Sequence, residues 1–137
     1  MLARGGVETI GTSLDNEGRS LSPGSSILIY DVSDSRFIGA SALGERGKPS
    51  ERVGEEAAKD FLKEIALSPN VDSHLADMLA TLLPCVKGNS SFTTSFITDH
   101  FTTNMEVAKK FSKCGVEYHK VGSLYKVNID GSPEKPN

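Results

Sequence analysis

Thr98-Asp99-His100-Phe101-Thr102-Thr103-Asn104-Met105-Glu106 follows directly on the apolar, β-type run Phe92–Ile97. A strand that passes into a helix within a few residues is the junction from which layered α/β structures are built. Thr103 and Glu106 have the spacing of a capping box, in which the threonine hydroxyl takes a backbone N–H and the glutamate reaches back. That spacing predicts a helix from Asn104 to about Lys113, with Met105, Ala108 and Phe111 on its inner face and Gly115 as a left-handed stop. His100 then falls on the strand-to-helix turn, facing the positive end of the helix. Such an end binds phosphate, because unpaired N–H groups point outward and the dipole favours anions. The same field disfavours an imidazolium and keeps a histidine neutral and nucleophilic. Nucleotidyl or phosphoryl transfer is the chemistry this suggests; the bland alternative is a solvent-exposed histidine beside a helix cap.

Working outward, Val116–Val121 and Leu124–Ile129 read as strands joined by Gly122-Ser123, a two-residue type II′ hairpin. Residues 131–137 read as a disordered tail. Upstream, Lys87-Gly88-Asn89 reads as a turn and Asp72 to Leu83 as a helix, with Leu75, Leu79, Leu82 and Leu83 as its buried stripe. His74, Asp77 and Thr81 share another face, which either meets solvent or lines a cleft. Ser50 caps an earlier helix to about Ala66, in which Val53, Ala57, Phe61 and Ile65 recur every four residues. Ile27–Val32 and Phe37–Leu43 are strands joined by Ser33-Asp34-Ser35. The first of them is apolar on both faces, which predicts a central position. Met1–Gly6 looks like the last turn of a helix with its glycine cap, and Val7–Ile10 like a short strand, as if the chain began inside a larger protein. Residues 11–26 form a loop. The predicted fold is therefore an α/β (α+β) sandwich, with helices packed on a mixed four-stranded sheet and a seam near residue 69.

With 137 residues there is room for one domain or two small halves. A net charge of -3 gives no global nucleic-acid signature, although Lys109, Lys110, Lys113, Lys120 and Lys126 gather bases near the C-terminus. That cluster reads mainly as a solvated helix face, with a weak RNA-facing surface as the minority reading. Cys85 and Cys114 form no metal or disulfide pattern and read as buried small hydrophobes in a reducing compartment. There is no membrane-length apolar run and no signal peptide, so the expected setting is the cytoplasm. Phosphate-loop, dinucleotide and zinc-protease motifs are absent from the sequence, and no metal ligands stand out.

Four segments taken in order resemble the RNA 3′-terminal phosphate cyclase family. They are Pro23-Gly24-Ser25-Ser26 before a strand; Gly44-Glu45-Arg46-Gly47 with the amphipathic Val53-Gly54-Glu55-Glu56-Ala57-Ala58; Asp72-Ser73-His74-Leu75-Ala76-Asp77; and His100-Phe101-Thr102-Thr103-Asn104. The resemblance covers the C-terminal part of such an enzyme, over about residues 20–120. It implies that residues 1–69 are the latter part of an inserted domain and residues 70–130 the last core repeat. It further implies an ATP-dependent ligase: a histidine is adenylylated, AMP passes to an RNA 3′-phosphate, and the neighbouring 2′-hydroxyl closes a 2′,3′-cyclic phosphate. By that resemblance His100 is the nucleophile, while His74 stacks on the adenine, Asp77 hydrogen-bonds near the nucleotide or His100, and Thr102 and Asn104 orient the histidine or its phosphate. Implied partners are ATP, Mg²⁺ held mostly outside this chain, an RNA 3′-phosphate end, and a missing N-terminal half or a second copy. The alternatives are a non-catalytic RNA- or protein-binding relative acting in ribosome assembly, and an inactive truncated product; the isolated piece is expected to fail at cyclisation.

Overall fold

The computed structural model describes residues 9–16, 18, 23–33 and 35–132. The elements are β1 (Ser26–Ser33), β2 (Arg36–Leu43), α1 (Ser50–Leu67), α2 (Ser73–Leu82), a 3₁₀ turn (Leu83–Cys85), β3 (Gly88–Thr94), α3 (Asp99–Ala108), β4 (Gly115–Val121) and β5 (Leu124–Gly131). The class is α+β, with strands in sheets of two and three. The chain divides into two units, Met1–Tyr30 with Gly39–Lys63, and Asp31–Ile38 with Glu64–Asn137.

In the first unit the four-residue recurrence of apolar side chains in α1 makes an amphipathic helix. Val53, Ala57, Ala58 and Phe61 are buried. Glu56 of α1 pairs with the largely buried Lys48 from the preceding loop, and on the exposed side Lys63 pairs with Asp60 at 2.7 Å. Such an exposed pair contributes little, typically about 0–1 kcal/mol. At its C-terminal end Ser68 takes a left-handed φ of 52° immediately before the buried Pro69. A residue before proline is pushed out of the right-handed helical region, so the helix stops here.

The second unit is built on the antiparallel sheet β3-β5-β4. Alternation on the central strand turns Val127 and Ile129 inward, and Lys126, Asn128 and Asp130 to the opposite face. Phe92 from β3, Ala76 and Ala80 from α2, and Phe101 and Met105 from α3 complete the core with Val71. Val71 makes single parallel bridges to Phe37 and to Thr94. These isolated bridges are parallel, beside a three-stranded sheet whose own pairings are antiparallel, and Asp72 already caps α2 through the Leu75 N–H at 2.8 Å, so no strand can grow there. Asn70 fixes the junction: its Oδ1 accepts from the Thr93 N–H at 3.0 Å and its Nδ2 donates to the Ser35 carbonyl at 2.9 Å.

Several local expectations are corrected. β1 pairs only with β2 among the described residues, and Leu28, Tyr30 and Val32 are exposed, so an apolar run on both faces did not mean a central strand. β3 is Gly88–Thr94, not Phe92–Ile97; its polar first half pairs with β5, so Gly88 and Asn89 of the expected turn are strand while Lys87 stays a bend before it. α3 starts at Asp99, not Asn104, because Thr98 and not Thr103 is its cap. It ends at Ala108, which leaves Phe111 exposed, and Gly115 opens β4 without a positive φ. Leu82 is likewise exposed, whereas Leu75, Leu79 and Leu83 pack on the core. Cys85 is exposed and Cys114 half-buried, so neither is the buried hydrophobe expected of it. Gly122 has φ 61°, as the first central position of a type II′ turn requires. The expected helix end at Met1–Gly6 and most of the 131–137 tail lie outside the described residues; Thr9 and Ile10 belong to no strand, and Gly131 ends β5. No helix among the described residues is long and apolar enough to cross a membrane.

Candidate site at the helix N-termini

Sheet register brings the chemistry-bearing residues to one end of the second unit. Val71 bridges Thr94, so α2 starts beside the end of β3, and α3 starts five residues beyond that end. Both ten-residue helices therefore begin at the same end of the sheet. Each N-terminus carries a partial positive charge, which makes that end attractive to phosphate.

His100 is the second residue of α3 and is exposed. The cap uses the Phe101 N–H, which donates to Thr98 Oγ1 at 2.9 Å, and the helical ladder begins with the Thr102 N–H on the Thr98 carbonyl at 3.2 Å. The N–H groups of Asp99 and His100 stand before that ladder, as first-turn donors do. Thr98 acts twice, since its hydroxyl also donates to Asp77 Oδ1 at 2.6 Å. That second bond explains why Thr98 prevails over Thr103 as the cap: only Thr98 meets a carboxylate on α2. Asn104 Nδ2 donates to the Asp77 carbonyl at 3.1 Å, one turn further along α3. Asp77 thus ties α3 to α2 at two points, the cap and the second turn. Thr102 Oγ1 donates within its own helix to the Asp99 carbonyl at 3.0 Å. His74 lies in the first turn of α2, exposed, and Thr81 is exposed and bonded to the Met78 carbonyl. Five sequence-derived candidates, His74, Asp77, His100, Thr102 and Asn104, are therefore carried by two helices that start at one end. Asp77 and Asn104 are in direct contact.

Glu64 is a contributor that pattern reading passed over. It lies on the polar side of α1, within the second unit, where charged residues look like solvated filler. Its Oε1 accepts from Ser73 Oγ at 2.9 Å, and its Oε2 accepts from Ser95 Oγ. One carboxylate so fixes both the start of α2 and the start of the loop that leads to His100. Ser95 is almost wholly buried, which makes this bond costly to lose. Phe101, fully buried next to His100, meets the Tyr118 ring edge-on with centroids 5.8 Å apart and planes at 86°. Among the described residues no group of three or more His, Cys, Asp or Glu could hold a metal ion. A shallow depression of about 420 Å³ lies at the other end of the sheet, lined by Asn89, Gly115, Glu117, Asn128 and Asp130, and shares no residue with the candidates.

Comparison with known proteins gives a consistent result. Residues 4–66 match the insert domain of RNA 3′-terminal phosphate cyclase. A protein of Pyrobaculum aerophilum named RNA 3′-terminal phosphate cyclase is 36% identical over 123 residues, covering 89% of this chain and 35% of its own. A protein of the same name from Desulfurococcus amylolyticus is 39% identical over 131 residues, 95% of this chain and 34% of its own. One from Methanosarcina barkeri is 40% identical over 93 residues, 68% of this chain and 28% of its own. The chain spans about a third of the length of the curated relatives it matches.

Proposed function

Because the chain belongs to the RNA 3′-terminal phosphate cyclase family, we propose that it contributes the nucleophilic histidine of an ATP-dependent reaction that converts an RNA 3′-terminal phosphate to a 2′,3′-cyclic phosphodiester. The supporting observation is His100, exposed in the first turn of α3 at the end where α2 also begins. A ring nitrogen of His100 attacks the α-phosphorus of ATP; the N–P bond forms and the bond to pyrophosphate breaks. An oxygen of the RNA 3′-phosphate then displaces the histidine and takes the AMP. Finally the 2′-hydroxyl attacks the 3′-phosphorus, loses its proton, and expels AMP. Each step collects negative charge on a phosphoryl group, which the N–H groups of Asp99 and His100 and the two helix dipoles stabilise.

Asp77 acts as a positioning residue. By accepting from Thr98 and Asn104 it fixes α3 against α2, and with it the rotation and height of His100. His74 offers a planar ring at the same end to stack on the adenine, and Thr102 and Asn104 complete the nucleotide-facing set. Among the described residues no group of three or more His, Cys, Asp or Glu could hold Mg²⁺. A divalent ion of this class enters bound largely to substrate phosphates, with few protein ligands. Residues 1–69 then belong with the inserted domain and residues 70–130 with the last core repeat, in the cytoplasm, and the remainder of the enzyme supplies the other contacts to ATP and RNA.

The test replaces the matching third of one of these relatives with this chain and follows conversion of a 3′-phosphorylated oligoribonucleotide to its cyclic form. The chimera should cyclise the end, and His100→Ala should remove the activity. A His100→Ala chimera as active as its parent would end the proposal.

A further inference from the structure

The β4–β5 hairpin reaches past the core at the end where His100 stands. β3 and β5 are antiparallel with Thr94 opposite Tyr125, so the end of β3 that leads to α3 lies beside the hairpin tip. On the same sheet face as Val127 and Ile129, Tyr125 is the cross-strand partner of Lys120, and Tyr118 sits two residues before Lys120. Val116 packs on the core, and from there this face passes through Tyr118, in contact with Phe101, to Lys120 and Tyr125 at the tip. On the opposite face His119 stands directly across from Lys126. From Tyr118 through Val127 the sequence has no acidic residue. Lys120 and Lys126 enter no ion pair among the described residues.

Lys120 on the tyrosine-bearing face and Lys126 on the other give each side of the hairpin a cation with no ion pair among the described residues. Interleaved with tyrosines they form the combination that holds single-stranded nucleic acid: rings on which bases stack and cations that follow the phosphates. A protein partner matched to this surface would need carboxylates but would gain little from the tyrosine faces. We propose that the hairpin tip binds the RNA segment just 5′ of the terminal phosphate, with a base stacked on Tyr125 and a phosphodiester against Lys120. This rests on the cyclase reading, which brings an RNA 3′-end to His100, and adds the route by which the strand arrives.

The experiment measures fluorescence anisotropy of a single-stranded RNA of roughly ten nucleotides, labelled at its 5′ end and closed by a 3′-phosphate, titrated with the chain over a range of salt. Lys120→Glu should weaken binding about tenfold and reduce the salt slope by about one. Tyr125→Ala should weaken it about tenfold, and Tyr125→Phe should restore most of that. Lys87→Glu, at the opposite end of the sheet, serves as the control and should change affinity little. Circular dichroism of each variant excludes unfolding as the cause. Absence of binding by the parent chain, or equal affinities for all variants, overturns the proposal. The cyclase reading fails separately: it needs His100→Ala to abolish adenylylation, a change to which this RNA affinity is indifferent.

Discussion

Thr98→Val removes a hydroxyl that holds α3 from two sides while keeping the shape of the side chain. The first loss is the N-cap, in which Thr98 Oγ1 accepts from the Phe101 N–H at 2.9 Å; such a loss costs about 1 kcal/mol. The second is donation to Asp77 Oδ1 at 2.6 Å. Hydrogen bonds to charged groups contribute about 1.5–3 kcal/mol, and because Thr98 and Asp77 are only half-buried the lower end applies. The sum is about 2–3 kcal/mol, which for a chain of this size lowers Tm by on the order of 10 °C. Thermal and urea unfolding followed by circular dichroism measure it. Thr98→Ser keeps both bonds and should stay within about 0.5 kcal/mol of the parent. Thr103→Val, at the exposed position where the capping-box spacing had put the cap, should also stay within about 0.5 kcal/mol. A double-mutant cycle with Asp77→Ala should give a coupling of about 1 kcal/mol. The reasoning is refuted if Thr103→Val costs as much as Thr98→Val, or if Thr98→Val costs less than about 0.5 kcal/mol.

Other perturbations probe the same frame. Glu64→Ala strands the hydroxyls of Ser73 and Ser95, the second almost wholly buried; it should cost about 1–3 kcal/mol in urea unfolding, and Glu64→Gln clearly less. Phe101→Ala empties the centre of the core under His100 and should lower stability by about 3–5 kcal/mol. Gly131→Ala would drive a Cβ into the carbonyls of Leu83 and Val86, so the 3₁₀ turn must move; a loss of about 1–3 kcal/mol is expected from the overpacking.

Much of the second unit was legible in the sequence because its signals are local. Leu75, Leu79 and Leu83 follow from periodicity, the strand at Leu124–Ile129 from its apolar run, and Gly122 from the φ its turn requires. What pattern reading missed depends on partners distant in sequence. Thr98 and Thr103 offer the same hydroxyl, and Asp77 chooses between them. Phe111 and Leu82 fit an apolar stripe, yet the helix ends before one and turns the other outward. Glu64 looks like any charge on an exposed helix face until its two serines, from different elements, are brought beside it. The capping-box spacing places His100 on the turn before the helix, whereas the earlier start of α3 takes it into the first helical turn.

The account turns on whether His100 accepts AMP. The direct measurement incubates the chain with ATP labelled at the α-phosphate and Mg²⁺, supplying the non-matching two thirds of a relative, and resolves the products on a denaturing gel. A labelled band is expected at the size of this chain, labile to acid and stable to base as a phosphoramidate is, and absent from His100→Ala. Label that persists in His100→Ala, or no label on the complemented chain, would contradict it.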